Sequence, residues 1–267
     1  MQPSAAEPIP VAPEAGLTAE RVGAVVTISL NRPDRLNSQT PHTWTALTKI
    51  AGELPGDVRV VVLRGEGRAF SAGLDRAMFT PDGIPGLPGI GALARRSAEE
   101  ASAQIAEWQR AFDWTSRADL ISVAAVHGHA IGGGFQLALG ADIRIVADDV
   151  SFAMAEPTLG IVPDLGGTKR LVDLVGYSRA AEICLTGRRI GADEAYAIGL
   201  ASRVVPREGL DAAVGETVRA LLAVDRDASI ETKALLQRAS GRSQTEQEAV
   251  ERAAQYRRLR SLQGLGD

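Results

Sequence analysis

Three short segments of this chain carry residue types suited to stabilising an oxyanion and moving a proton. They are Arg68 to Asp75 (RAFSAGLD), His127 to Gln136 (HGHAIGGGFQ) and Glu156 to Gly167 (EPTLGIVPDLGG). The glycine clusters follow apolar, β-rich runs, and a strand that passes through glycine into a helix leaves backbone N–H groups facing open space. Such groups hold charge that develops on a carbonyl oxygen. The third segment adds two carboxylates, Glu156 and Asp164, close enough in sequence to serve one pocket as proton carriers.

Other chemistries fit less well. His42, His127 and His129 are the only histidines and lack further ligand types at metal-like spacing, so no metal is expected. Gly65-Glu66-Gly67-Arg68-Ala69-Phe70 begins like a dinucleotide fingerprint but lacks its last glycine, and no GxxxxGK[ST] occurs. Ser71 is not in a GxSxG turn and has no evident histidine partner, which argues against a serine hydrolase.

The elements that must position these segments are legible as periodicity. Gly23 to Leu30 and Val58 to Arg64 read as strands with a helix from Pro41 to Leu54 between them. Leu120 to His127 reads as a strand leading into Gly132 to Gly134 and a short helix through Phe135 to Leu139, with Asp142 to Ala147 as the next strand. Repeated strand-to-helix transitions predict an α/β fold with a mostly parallel sheet, whose ligands meet strand ends and helix starts. Met78 to Gly91 is rich in Pro and Gly, too breakable for a regular element and apolar enough to line a pocket. From Gly209 onward the pattern is helical.

With 45% hydrophobic and 23% charged residues over 267 positions, the chain reads as one large globular domain with a helical appendage. A formal net charge of -4 disfavours general attraction to nucleic acid. One cysteine, Cys184, precludes an internal disulfide and matches a reducing, cytoplasmic setting. Residues 1–16, rich in Pro and Ala, read as a flexible tail with neither a secretory signal nor a membrane span expected.

Across about residues 20–205 the chain resembles the crotonase superfamily, also called the enoyl-CoA hydratase/isomerase family. The resemblance rests on Leu30-Asn31-Arg32-Pro33 with Asn37, Ala69 through Asp75, Gly128 through Gly134, Glu156 through Arg170, and Leu185-Thr186-Gly187 with Ala192 and Gly199-Leu200. It implies a crotonase-type spiral of strand-strand-helix (ββα) turns and an acyl-CoA-binding catalytic core over 17–205. It also implies a helical C-terminal oligomerisation region over 206–267, and trimers that often pair into hexamers.

The resemblance further implies that an acyl-CoA thioester oxygen accepts the backbone N–H groups of Leu74 and Gly133. Ala72, Leu74 and Arg35 match positions near the CoA, with Arg252, Arg257, Arg258 and Arg260, of this chain or of a neighbouring subunit, as further basic candidates, and no cofactor is expected beyond the substrate's own CoA. Gln136 stands where hydratases of the family carry their first catalytic glutamate. An amide cannot shuttle a proton, but it can orient a water or thioester. Glu156 matches the second glutamate as principal acid/base, and the Glu156 and Asp164 pair resembles the dienoyl-CoA isomerase branch. These matches tilt the reading toward double-bond isomerisation, with water addition as the alternative and a non-catalytic acyl-CoA- or partner-binding homologue as a third reading.

Overall fold

Valine- and isoleucine-rich runs form strands because branched side chains pack well on a pleated surface. The computed structural model describes residues 5–87 and 89–265. The elements begin with β1 (Glu7–Ile9), β2 (Leu17–Val22), β3 (Val25–Leu30), α1 (Pro41–Glu53), β4 (Val60–Gly65), α2 (Ala98–Asp113) and β5 (Ile121–Val126). They continue through β6 (His129–Ile131), α3 (Gly133–Gly140), β7 (Ile143–Ala147), β8 (Ser151–Ala153), α4 (Gly167–Val175), α5 (Tyr177–Thr186) and α6 (Ala192–Ala197). The chain then forms β9 (Arg203–Val205), α7 (Leu210–Ala223), α8 (Arg226–Arg238) and α9 (Gln244–Leu262).

Among the described residues one sheet has the order β1-β2-β3-β4-β5-β7-β9. It is antiparallel from β1 to β3 and parallel from β3 onward. Its parallel strands are buried on both faces. Val61, Leu63, Ala124 and Val126 enter a large core with Leu47 of α1, Phe112 of α2 and Phe135 of α3. Their neighbours Val60, Val62, Val123 and Ala125 pack on Leu210, Ala213 and Val214 of α7. Strands covered on both sides read as continuous apolar runs, which is why β4 and β5 were visible in the sequence. The second, two-stranded sheet pairs β6 with β8 in parallel, with Ile131 opposite Ala153.

The flexible tail expected over 1–16 is corrected by the structure from Glu7 onward; residues 1–4 lie outside the described residues. Glu7, Pro8 and Ile9 pair with Arg21, Glu20 and Ala19, and Ala15 is buried. An edge strand tolerates Pro8, because a proline there forfeits no ladder bond on the outer side. Met78 to Gly91 matches its expectation in lacking long elements, although 3-10 turns form at Arg76–Phe79 and Ile90–Arg95; Pro88 lies outside the described residues.

The C-terminal helices are fastened by charge as well as by packing. Lys233 of α8 is buried, and its Nζ donates to the Thr115 and Leu120 carbonyls at 2.8 and 2.5 Å and to Asp142 Oδ2 at 2.7 Å. Burial lowers its pKa, opposed by the Asp142 charge. Arg257 pairs with Glu231, and Arg258 with Asp225 and Asp227, strapping α9 to α8. Replacing Lys233 by Met takes the buried donor from the Thr115 and Leu120 carbonyls and the countercharge from Asp142, which among the described residues keeps only its bonds from Ser122, so a loss of about 3 kcal/mol is expected. Urea denaturation of the variant measures it, and an unchanged midpoint would contradict the role of this lysine.

Candidate active site

The N–H groups of Leu74 and Gly133 are brought together by backbone, not by their side chains. Gly73 adopts φ 85°, and a Cβ at Gly73 would lie 2.5 Å from the Ile131 carbonyl and 3.3 Å from Gly133 N. A Cβ at Gly133 would lie 3.9 Å from Leu74 N. Only chain without side chains can approach this closely. Gly133 is the first residue of α3, so its N–H has no partner within the helix and lies at the positive end of the helix dipole. Among the described residues, neither the Leu74 nor the Gly133 N–H has an acceptor.

A buried network holds the first loop in place. Ser71 Oγ donates to the Asn37 carbonyl at 2.8 Å and accepts from Gln39 Nε2 at 3.1 Å and from the Gly73 N–H at 3.2 Å. Gln39 also exchanges backbone bonds with this loop, donating to the Gly73 carbonyl and accepting from the Asp75 N–H. Trp44 Nε1 donates to Gln39 Oε1 at 2.9 Å. Asn37 takes the left-handed conformation at φ 53°, and its Nδ2 donates to the Glu66 and Ala69 carbonyls. Ser71 is thus a hub of the loop. Gln39 was not singled out from the sequence, because its role depends on contacts with residues 32 to 36 positions away.

The β6 and β8 pairing delivers the carboxylate. With Ile131 opposite Ala153 and Gly132 N donating to the Ala153 carbonyl at 2.8 Å, the two chains leave the sheet side by side. Glu156, in the 3-10 turn Glu156–Leu159, is only 7% exposed. Its Oε1 would lie 3.2 Å from a Cβ at Gly132, one residue from the Gly133 amide. Gln136 Nε2 donates to Oε1 at 2.7 Å, while Oε2 is buried without a partner.

Asp164 enters the same neighbourhood. Burial raises its pKa, and its charge adds to the burial that raises Glu156, opposed by hydrogen bonds from the Glu156 backbone and from Gln136. Gln109 Nε2 of α2 donates to the Asp164 carbonyl at 2.7 Å and anchors the turn. The α2 helix was not anticipated, although its capping box of Ser97 with Glu100 is a readable start signal.

Arg35, Ala72 and Leu74 line one cleft of about 490 Å3. Arg68, Arg76 and Arg189 line it too, against the acids Asp34 and Asp75, the latter paired with Arg32, so the cleft carries an excess of basic groups. The side chains of Arg35, Arg68 and Arg76 are exposed and have no anionic partner among the described residues. Arg252, Arg257, Arg258 and Arg260 do not line this cleft; Arg257 and Arg258 are engaged with α8, and Arg260 lies over the Tyr256 ring. His127 Nε2 lies 3.1 Å from the Gly67 carbonyl, which can only accept its proton, so this bond fixes His127 to the loop before Arg68.

Two backbone donors beside a desolvated carboxyl and a basic cleft define an acyl-transfer or enolate type of site. Residues 20–263 match the family model described as enoyl-CoA hydratase/isomerase, and this chain belongs to that family of enzymes. The chain is 34% identical over 194 residues to a short-chain-enoyl-CoA hydratase of Clostridium acetobutylicum, covering 70% of this chain and 67% of that protein. It is likewise 34% identical over 183 residues to a peroxisomal Δ(3,5)-Δ(2,4)-dienoyl-CoA isomerase of Arabidopsis thaliana, covering 68% and 65%. A crystal structure from Thermobifida fusca YX, described as "a putative enoyl-CoA hydratase" in complex with acetoacetyl-CoA, is 48% identical with a TM-score of 0.89, covering 92% of this chain and 96% of that one. The fold is therefore the crotonase fold. No helix among the described residues is long and apolar enough to cross a membrane.

Raised carboxyl pKa values have a definite consequence for stability. The folded state holds these protons more tightly than the unfolded chain, so ionised Glu156 costs stability above its folded pKa, and the cost is relieved as pH falls to the ordinary carboxylate range. Glu156→Gln removes the charge and keeps an acceptor for Gln136. The variant is expected to melt higher than wild type near about pH 8, by about 2–4 °C for each kcal/mol released, with the gap closing near about pH 4. Thermal melts across that range check it, and a gap independent of pH would contradict the burial of a charged Glu156.

Proposed function

We propose that this enzyme moves a double bond along a fatty or related acyl-CoA through a thioester enolate. The observation that carries the reading is the buried, unpartnered Glu156 Oε2 close to the free N–H groups of Leu74 and Gly133. With the thioester oxygen between those amides, charge formed on it is stabilised without reorganising solvent. Glu156 Oε2 takes a proton from the carbon next to the thioester of a 3-enoyl-CoA, the electron pair delocalises onto the oxygen, and the same carboxyl returns the proton two carbons further on. A carboxyl whose pKa is raised by burial is the better base for this step. The route uses protein groups alone and no cofactor.

Asp164 supports a second reading. It is a second desolvated acid close enough to raise Glu156, so it can assist a dienoyl rearrangement or guide water in a hydration. Gln136, by contrast, cannot supply the second proton of a two-glutamate hydratase. The similarity to proteins named as hydratase and as dienoyl-CoA isomerase is compatible with either branch. Trimeric or hexameric assembly through 206–267 and a cytoplasmic setting belong to the same proposal, and light scattering reads the assembly directly.

Product analysis against 2-enoyl, 3-enoyl and dienoyl thioesters separates the branches by ultraviolet absorbance. Glu156→Gln is expected to lower turnover by about 100- to 10,000-fold with acyl-CoA affinity retained, whereas Asp164→Asn should cost less unless the substrate is a diene. Retained turnover in Glu156→Gln would remove this carboxyl from the mechanism, and binding without conversion of any thioester would make the protein a non-catalytic binder.

The basic cleft suits the phosphates of CoA. Arg35→Ala, Arg68→Ala and Arg76→Ala should each raise KM about two- to fivefold with kcat nearly unchanged, and the effect should fade as salt is added. A fall in kcat with KM preserved would place these arginines elsewhere in the mechanism.

A further inference from the structure

We infer that Gln136 is a positioning residue: it occupies Oε1 of Glu156 so that Oε2 alone is left for proton transfer, and it ties that carboxylate to the turn carrying Asp164. The inference rests on the reading of Glu156 given above. It differs from the expectation that Gln136 orients a water or thioester, because its carboxamide is already committed to the protein.

The commitment is visible at both ends of the amide. Gln136 is fully buried. Its Nε2 donates to Glu156 Oε1 at 2.7 Å, while its Oε1 accepts from the Leu165 N–H at 2.9 Å and the Gly167 N–H at 3.1 Å. These partners settle which atom is nitrogen. A flipped amide would set its NH2 against two N–H donors and its oxygen against a carboxylate.

The side chain is also wedged. A Cβ at Gly167 would lie 2.6 Å from Gln136 Cγ and 2.9 Å from its Oε1, so the first residue of α4 has no side chain where the amide passes. One neutral group thereby spans the helix after the glycine turn, the Glu156 turn and the Asp164 turn. A glutamate in its place would satisfy the two backbone donors, but it would meet Glu156 as a second carboxyl and the pair would have to share a proton.

A neutral donor to a carboxylate favours its charged form at every pH. Gln136 therefore opposes the burial and the Asp164 charge, which together hold the Glu156 proton more tightly. Cys184 is the other titratable neighbour; burial and the Glu156 charge keep its thiol protonated.

The test is a carbon-13 NMR titration of the free protein labelled at its glutamate carboxyls, with Glu156 assigned by the resonance lost in Glu156→Gln. In Gln136→Leu the Glu156 pKa should rise by about one unit. In Gly167→Ala, which displaces the amide while leaving its chemistry intact, the pKa should rise as well, and Gln136→Glu, which preserves the shape, should raise it further. The acid limb of kcat/KM should move in step with each. A Glu156 that titrates as in wild type in folded Gln136→Leu or Gln136→Glu protein overturns the inference. Because the titration needs no substrate, failure to convert any enoyl-CoA would sink the proposed function and leave this measurement decisive.

Discussion

The protein is organised around leaving three polar groups unpaired where water is scarce: the N–H groups of Leu74 and Gly133 and Oε2 of Glu156. A buried donor or acceptor without a partner costs about 1–3 kcal/mol, so a chain free to relax would pair these groups with one another or with water. They stay open because each is tethered by neighbours that are themselves satisfied. The Leu74 loop is gripped by Ser71, Gln39 and Asn37, the Gly133 amide starts a helix, and Glu156 is steered by the β6 and β8 register and by Gln136. The unmet hydrogen-bonding capacity is what a thioester oxygen and a mobile proton would use.

Rigidity at that point is supplied from several directions. The α1 and α2 helices meet through Trp44, Trp108 and Phe112, and Trp44 reaches Gln39 behind the Leu74 loop. The same α2 holds the Asp164 turn through Gln109. On the opposite face of the sheet, α7 packs on strands whose other side builds the large core, and Lys233 links α8 to the segments leading into β5 and β7. Aromatic packing therefore reaches the Leu74 loop through Trp44 and Gln39.

Much of the fold was legible in the amino-acid sequence, and the residues explain why. The runs that became β3, β4, β5 and β7 are buried on both faces or nearly so, and they announce themselves as apolar blocks. By contrast, β1 is the edge strand and β2 its inner neighbour, and Glu7, Pro8, Glu20 and Arg21 mask their strand pattern with polar and proline residues. The α2 helix buries only Ala111 and Phe112 and was concealed behind a Pro/Gly-rich stretch, although Ser97 and Glu100 mark its start. The glycine turns and acids of the site stood out because glycine is demanded where backbones touch, at Gly73 against Ile131 and at Gly167 against Gln136.

Local order thus made known the class of fold, the two donor loops and the presence of Glu156 and Asp164, since glycine turns and apolar periodicity are written within a few residues of one another. Folding alone settled which oxygen of Glu156 is free, that the Gln136 amide is spent on Glu156 and the 165–167 turn, and that Arg257 and Arg258 pair with acids at α8 within the chain. Those outcomes depend on pairings between residues at least 20 positions apart, and on desolvation, a property of the packed surroundings that no single stretch of chain contains.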